Sequence, residues 1–296
     1  MTAVPSARGR TVRHALVLAA GNGDRFHNGS SQSKLLQPVL GEPLILRTLN
    51  TARRAGITSF QIVVGYQADV LRAFVEGHAP AGADVQFSYN PDWHLENGLS
   101  ALAARERFRD QRFALLMGDH LFQVSVLSRL LRTRVSGGES VLAVDSRPAL
   151  PEVAADATKV RTAGSRIVAI GKDLLEYDSL DTGLFVCNPL LFDALDESKA
   201  AGDTTLSGGI RRLAASGLMQ ALDIGDAAWY DIDTIEDLEA AESQLAGPSL
   251  LEDSCTGRQL RSRARRPSET IRSGAVIRPA EVLTGRRRTR HEPELA

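Results

Sequence analysis

Short apolar runs closed by glycine, each followed by a helical stretch, repeat through the first 134 residues. Residues 15–20 (ALVLAA) end at Gly21 and Gly23, 60–64 (FQIVV) at Gly65, and 113–117 (FALLM) run into Gly118-Asp119-His120. Runs of five or six residues, apolar but for Gln61, fit a strand covered on both faces. Between the runs, 43–55, 68–75, 99–108 and 124–134 have helical spacing, and 85–89 alternates like a further strand. Such alternation builds an α/β fold with a mostly parallel sheet and helices on both faces.

After Ser140 the rhythm changes. Strand-like pieces at 140–145, 159–162, 166–170 and 182–187 are separated by turn-rich stretches. They predict a small antiparallel subregion added to the parallel sheet, suited to a second substrate. Helices at 206–216 and 235–245 close the domain. Three segments result: a flexible N-terminus over 1–12, a folded body over 13–246, and a tail over 247–296.

Charge separates tail from body. Beyond Gly247 lie eleven arginines against six acidic residues, which leaves a body of −6 within a chain of −1. The tail lacks aromatic residues and is expected to be disordered, because it cannot bury enough apolar surface to offset its ordering entropy. The body is no polyanion binder, so nucleic acid is not an expected partner. The two cysteines, Cys187 and Cys255, make no disulfide framework, and 1–13 has no apolar signal region. A cytoplasmic protein is expected.

Chemistry concentrates in four places. The first is Ala19-Ala20-Gly21-Asn22-Gly23-Asp24-Arg25 at the end of the first strand. Glycines there let backbone N–H groups approach a phosphate chain, and Arg25 adds a planar cation. The loop lacks the third glycine of a dinucleotide fingerprint and the Gly-Lys-Ser/Thr of a Walker loop. The second is Ser33-Lys34, followed by Gln37-Pro38; taken alone, Lys34 would be a solvated lysine. The third is Asp119, at the carboxyl end of a parallel strand, where ligands bind in such sheets. An aspartate there either caps a turn or offers oxygen to Mg²⁺. Late in the chain, Asp231 and Asp233 are spaced to face one side of a strand, and Thr234 with Asp237 can cap a helix. Asp233 is the chosen metal partner of Asp119, ahead of Asp231. The fourth is Glu96-Asn97-Gly98-Leu99-Ser100, where Asn97, Gly98 and Ser100 either read a nucleotide or start a helix.

The glycine–arginine loop followed by Lys34 resembles the signature of the sugar-phosphate nucleotidyltransferase superfamily, which includes the MobA-like NTP transferases. Two departures are Ser33, where a proline commonly precedes the lysine, and the polar insert His27 to Gln32. The order of Glu96-Asn97-Gly98, Gly118-Asp119-His120, Asp156-Ala-Thr158-Lys159-Val160, Ile170-Gly-Lys172 and Asp181-Thr-Gly183 resembles one branch, the CTP:inositol-1-phosphate cytidylyltransferases. The resemblance covers about 13 to 245. It implies a three-layer Rossmann-like nucleotidyltransferase fold, Mg²⁺ as cofactor, and CTP with a small phosphorylated alcohol as substrates.

The implied roles are these. Ala19, Ala20, Gly21, Gly23, Arg25 and Lys34 hold the nucleotide, with Asn97, Gly98 and Ser100 at base and ribose. Asp119 and Asp233 hold Mg²⁺. Lys159, Lys172, Asp181 and Gly183 hold the acceptor, and Arg25, Lys34 and Lys159 serve the reaction. His120 either orients an acceptor hydroxyl or packs. In many members of that branch the domain precedes a membrane-embedded CDP-alcohol phosphotransferase, so the basic tail is a candidate contact for anionic lipid or a separate membrane synthase. The plainer reading of the tail is a solvated extension. Alternatives are an acceptor such as phosphocholine or a sugar 1-phosphate, an inactive nucleotide-binding module, and a nucleotide-sugar glycosyltransferase. Four retained charges speak against the module; the lack of Asp-x-Asp after the third strand speaks against the glycosyltransferase.

Overall fold

The computed structural model describes residues 11–26, 32–147 and 151–245, with only the backbone for 151–153. The tail and most of the insert after Phe26 lie outside the described residues. Strand β1 (His14–Ala19) opens into the glycine loop and a 3-10 turn at Asp24–Phe26. A second such turn, Lys34–Leu36, precedes a tiny hairpin, β2 (Pro38–Val39) and β3 (Glu42–Pro43). Helix α1 (Leu44–Ala55) ends at Gly56, whose φ of 115° suits a left-handed cap. Then follow β4 (Ser59–Val64), α2 (Ala68–His78), β5 (Asp84–Tyr89), α3 (Asn97–Leu102), β6 (Phe113–Met117), β7 (His120–Phe122) and α4 (Val124–Arg132).

The expected helix over 99–108 is two pieces. Ala104 leaves helical geometry (φ −108°, ψ 6°), and the tighter 3-10 turn after it carries Phe108 into the core. There the Phe108 ring stacks on Phe113 with centroids 4.3 Å apart.

The second half holds β8 (Ser140–Asp145), α5 (Pro151–Asp156), β9 (Lys159–Ala163), β10 (Arg166–Gly171), β11 (Ser179–Cys187), α6 (Leu190–Ala200), α7 (Leu206–Ala215), β12 (Met219–Asp223), β13 (Trp229–Asp231) and α8 (Ile235–Leu245). Helices α5 and α6 and strands β7 and β12 were not expected from the sequence; β13 lies where Asp231 and Asp233 were set on a strand, but it ends at Asp231 and leaves Asp233 beyond it. Among the described residues, strands β8 to β12 form no separate sheet, whereas β13 pairs only with β7. One nine-stranded sheet runs β5-β4-β1-β6-β11-β8-β12-β10-β9. The pairs within β5-β4-β1-β6 are parallel, β11 is antiparallel to both β6 and β8, and β12 is parallel to β8. The antiparallel character is thus carried by β11 inside the main sheet and by the β9–β10 hairpin at its edge.

Alternate residues of the central strands feed two cores. Ala15, Val17, Ala114, Leu116, Leu184 and Val186 pack on one face, with residues of α1, α2, α4 and α8. Leu16, Leu18, Phe113, Leu115, Phe185 and Cys187 pack on the other, with α3, α6 and α7. Each fully buried Leu or Phe is worth about 1.5–3 kcal/mol. That is why the central strands read as unbroken apolar runs, and why the sandwich has three layers.

Candidate active site

The site gathers where β1 and β6 end, side by side and parallel. Two close approaches shape it. Gly118 N donates to Leu18 O at 2.9 Å, and a Cβ on Gly118 would lie 2.9 Å from that same oxygen. Gly23 has φ +67°, and a Cβ there would lie 3.0 Å from Lys34 Cβ. The loop glycine therefore lets the lysine stem pass beneath it. Gly21 is exposed, Ala19 and Ala20 are buried, and Ala20 O accepts from Tyr66 N at 2.9 Å.

Lys34 is no solvated lysine: it is 6% exposed. Its Nζ lies 2.8 Å from Asp119 Oδ2 and 3.0 Å from Asp233 Oδ1. Burial works against its charge, but Asp119 and Asp233 outweigh it and hold the pKa above the ordinary lysine value. Arg25 extends one guanidinium nitrogen to Asp233 at 2.6 Å and the other to Asp156. Asp156 also lies 3.5 Å from Lys172 Nζ. Lys159 Nζ donates to Lys172 O at 2.5 Å. Lys159, Lys172 and Arg25 thus belong to one network.

The late aspartates arrive through a small antiparallel pairing of β7 with β13, which sets His120 opposite Asp231. His120 Nδ1 is 2.9 Å from Thr182 O, and Nε2 is 3.2 Å from Asp231 Oδ1 and 3.8 Å from Asp119 Oδ1. Burial opposes charge on His120, yet Asp231 raises its pKa to about 10. Asp231 is lowered in turn, because His120, Lys34 and Arg25 overcome its burial. Burial and the neighbouring Asp231 raise Asp233. A carboxylate oxygen of Asp119, one of Asp231 and a ring nitrogen of His120 lie within 4.8 Å of one another. Asp231, ranked below Asp233 on the sequence, therefore stands at the site as fully as Asp233 does. Thr234 and Asp237 also make the expected capping box: Asp237 Oδ2 accepts from Thr234 N at 2.8 Å, and Thr234 Oγ1 accepts from Asp237 N at 3.1 Å.

Strand β11 brings Asp181 and Gly183. A register shift between Asp181 and Phe185 bulges the strand, with Gly183 at φ +73°. A Cβ on Gly183 would meet His120 Nδ1 at 2.4 Å, so the motif needs glycine for two reasons. Gly183 N donates to Asp181 Oδ1 at 2.8 Å. Burial still pushes the Asp181 carboxyl up to about 6.

The segment 97–100 is more structural than its sequence suggests. Asn97 Oδ1 accepts from Leu206 N at 2.9 Å, at the first turn of α7. A Cβ on Gly98 would sit 2.5 Å from Thr204 O, and Ser100 Oγ is 2.9 Å from Asn90 Nδ2. The exposed Asn97 side chain keeps its amide end for any contact with a nucleotide; the buried Ser100 hydroxyl is committed to Asn90. Sequence reasoning gave no role to the Asp156 carboxylate on Arg25, nor to Gly65, where a Cβ would lie 2.3 Å from Trp93 Cβ. Gly65, which closes the second apolar run, was the available signal.

Known proteins resemble this chain in sequence and fold. A bifunctional IPC transferase and DIPP synthase of Rubrobacter xylanophilus is 39% identical over 244 residues, covering 81% of this chain and 53% of that protein. The chain thus spans about half the length of the curated relatives it matches most strongly. A CMP-5'-(3-aminopropyl)phosphonate synthase of Streptomyces rubellomurinus is 32% identical over 255 residues, covering 79% of this chain and 39% of that protein. The solved inositol-1-phosphate CTP transferase from T. maritima matches with a TM-score of 0.71 at 25% identity, covering 80% of this chain and 96% of that one. Residues 15–216 match the MobA-like NTP transferase domain, whose members are nucleotidyltransferases that typically use a divalent metal. With the glycine loop, Lys34 and Asp119 all inside that match, the chain belongs to the MobA-like NTP transferase family.

Proposed function

We propose that the chain transfers the cytidylyl group of CTP to inositol 1-phosphate, giving CDP-inositol and pyrophosphate. The observation that carries this reading is the buried Lys34 ammonium, set between Asp119 and Asp233 beneath the glycine loop. It supports the reading because fixed positive charge beside carboxylates suits a triphosphate and its metal. The acceptor assignment draws on the likeness to the T. maritima enzyme and to the Rubrobacter protein.

An oxygen of the acceptor phosphate attacks the α-phosphorus in line. The new P–O bond forms opposite the bond to pyrophosphate, which leaves with its electron pair. Little covalent chemistry is asked of the protein, so positioning and charge carry the rate. Loop amides and Arg25 hold the triphosphate, whose oxygens compete with Asp156 and Asp233 for the Arg25 fork. Lys34 stays fixed below. Lys159 and Lys172 take the acceptor phosphate, and Asp181 accepts hydrogen bonds from ring hydroxyls. Asp119, Asp231 and Asp233 offer the carboxylate oxygens that suit Mg²⁺. Bound Mg²⁺ would neutralise charge on the phosphates.

The Streptomyces relative gives a second reading, in which the acceptor is an aminoalkyl phosphonate. Pyrophosphate release is the test, across four NTPs and a panel holding inositol 1-phosphate, phosphocholine, glucose 1-phosphate and 3-aminopropylphosphonate. Release with CTP and inositol 1-phosphate alone is expected. Release with a different pair keeps the enzyme class and replaces the acceptor. No helix among the described residues is long and apolar enough to cross a membrane. The proposed contact between tail and membrane partner concerns residues outside those described.

A further inference from the structure

His120 lies between the two halves of the site with both ring nitrogens facing protein. Its side chain is 11% exposed. Thr182 O can only accept, so Nδ1, at 2.9 Å, carries a proton toward it. Nε2 faces the Asp231 and Asp119 carboxylates at 3.2 and 3.8 Å. The ring fills the space that the absent Cβ of Gly183 leaves. This geometry leaves neither nitrogen for an acceptor hydroxyl, and a purely packing residue would need neither contact.

We infer that His120 is a positioning residue, a strut that ties the β11 bulge carrying Asp181 and Gly183 to the carboxylates of Asp119 and Asp231. One end sets the acceptor strand; the other sets the direction of the metal-facing oxygens. Outer hydrogen bonds of this kind typically change metal affinity about 10–100-fold when removed. The inference rests on the proposed function for the metal at Asp119 and Asp231 and for the acceptor at Asp181 and Gly183.

Two conservative variants separate the ends of the strut. His120→Gln places an amide nitrogen near the position of Nε2 and can reach Asp231. His120→Asn places one near Nδ1 and can reach Thr182. Mn²⁺ binding to the full-length protein without substrate, followed by electron paramagnetic resonance, reads the carboxylate end. KM for inositol 1-phosphate, set against kcat, reads the acceptor end. The Gln variant is expected to hold Mn²⁺ nearly as wild type while its acceptor KM rises. The Asn variant is expected to lose Mn²⁺ affinity by about tenfold or more while its acceptor KM stays near wild type. Equal shifts of both quantities in both variants, or no shift in either, would overturn the strut. In the wild type, nitrogen-15 spectroscopy is expected to find a slowly exchanging proton on His120 Nδ1; its absence would also overturn it, whether or not the variants fold. Weakened Mn²⁺ binding in the Asn variant, with wild-type protein inactive on inositol 1-phosphate, would uphold the strut and remove the substrate reading instead.

Discussion

Lys34 Nζ lies 2.8 Å from Asp119 Oδ2, joining two motifs that stand 85 residues apart in the chain and meet beneath one glycine loop. A buried ammonium among carboxylates is stable only while its partners remain. Removing one member of such a pair typically costs about 3–5 kcal/mol when the other is left buried. Asp119 keeps a side chain 27% exposed, so loss of its charge is softened by water.

Asp119→Asn should therefore lower kcat by at least about a hundredfold while thermal unfolding shifts little. The neutral amide still accepts from Lys34, but it offers less to a cation. Turnover near the wild-type rate, measured by pyrophosphate release, would remove Asp119 from the metal site.

Lys34→Met should lose both activity and stability. The pKa of Lys34 is raised from its ordinary 10.5, so its stabilising contribution is complete below that value and is lost only as pH climbs past it. Urea unfolding from pH 6 to 9 should show a constant gap between wild type and variant. A gap that closes within that range would contradict the buried pairing.

Asp181 gives a slope of the same sign in a lower pH window. Its carboxyl is raised from 3.8 to about 6, so the folded state holds the proton more tightly than the unfolded chain does. Its stabilising contribution is full below about pH 4 and is lost as pH rises through about 6. The stability of wild type relative to Asp181→Asn should fall across that window. The acceptor KM should fall over the same rise in pH, because the ionised carboxylate accepts hydroxyl protons better.

Gly183→Ala should destabilise the protein by about 2–4 kcal/mol, since it adds a methyl against the His120 ring at a positive φ. Pairing it with His120→Ala should recover much of that loss, because the clash disappears while the backbone strain stays. Additive losses in calorimetry would mean that the two residues do not meet.

Asn97 permits a separation of roles. Asn97→Ala should lose about 1 kcal/mol, the usual worth of a helix-capping side chain, whereas Asn97→Asp keeps the oxygen that accepts from Leu206 N. Both lack the amide group, so both should weaken the preference for CTP over ATP. An unchanged preference would leave Asn97 as a cap alone.

The early strands, the glycine loop with Arg25, and Asp119 at the end of β6 were legible because each is local. An apolar run covered on both faces, a glycine at a tight approach and an aspartate after a strand all show within a few residues. Strand β7 has three residues and β13 three, too short for any period to register. Their pairing, which sets His120 against Asp231, joins positions far apart in sequence and is decided by which surfaces can pack together. The same holds for Asp156 on Arg25 and for Asn97 at α7. The later strands look like a separate subregion because their local pattern is antiparallel and turn-rich. Only the lodging of β11 between β6 and β8 makes them one sheet. The sequence by itself determined the α/β class and the identity of the charged groups. Tertiary structure decided which of those groups face one another, because a side chain's local pattern sets the face it occupies, whereas its partner across the fold is set by strand order and register.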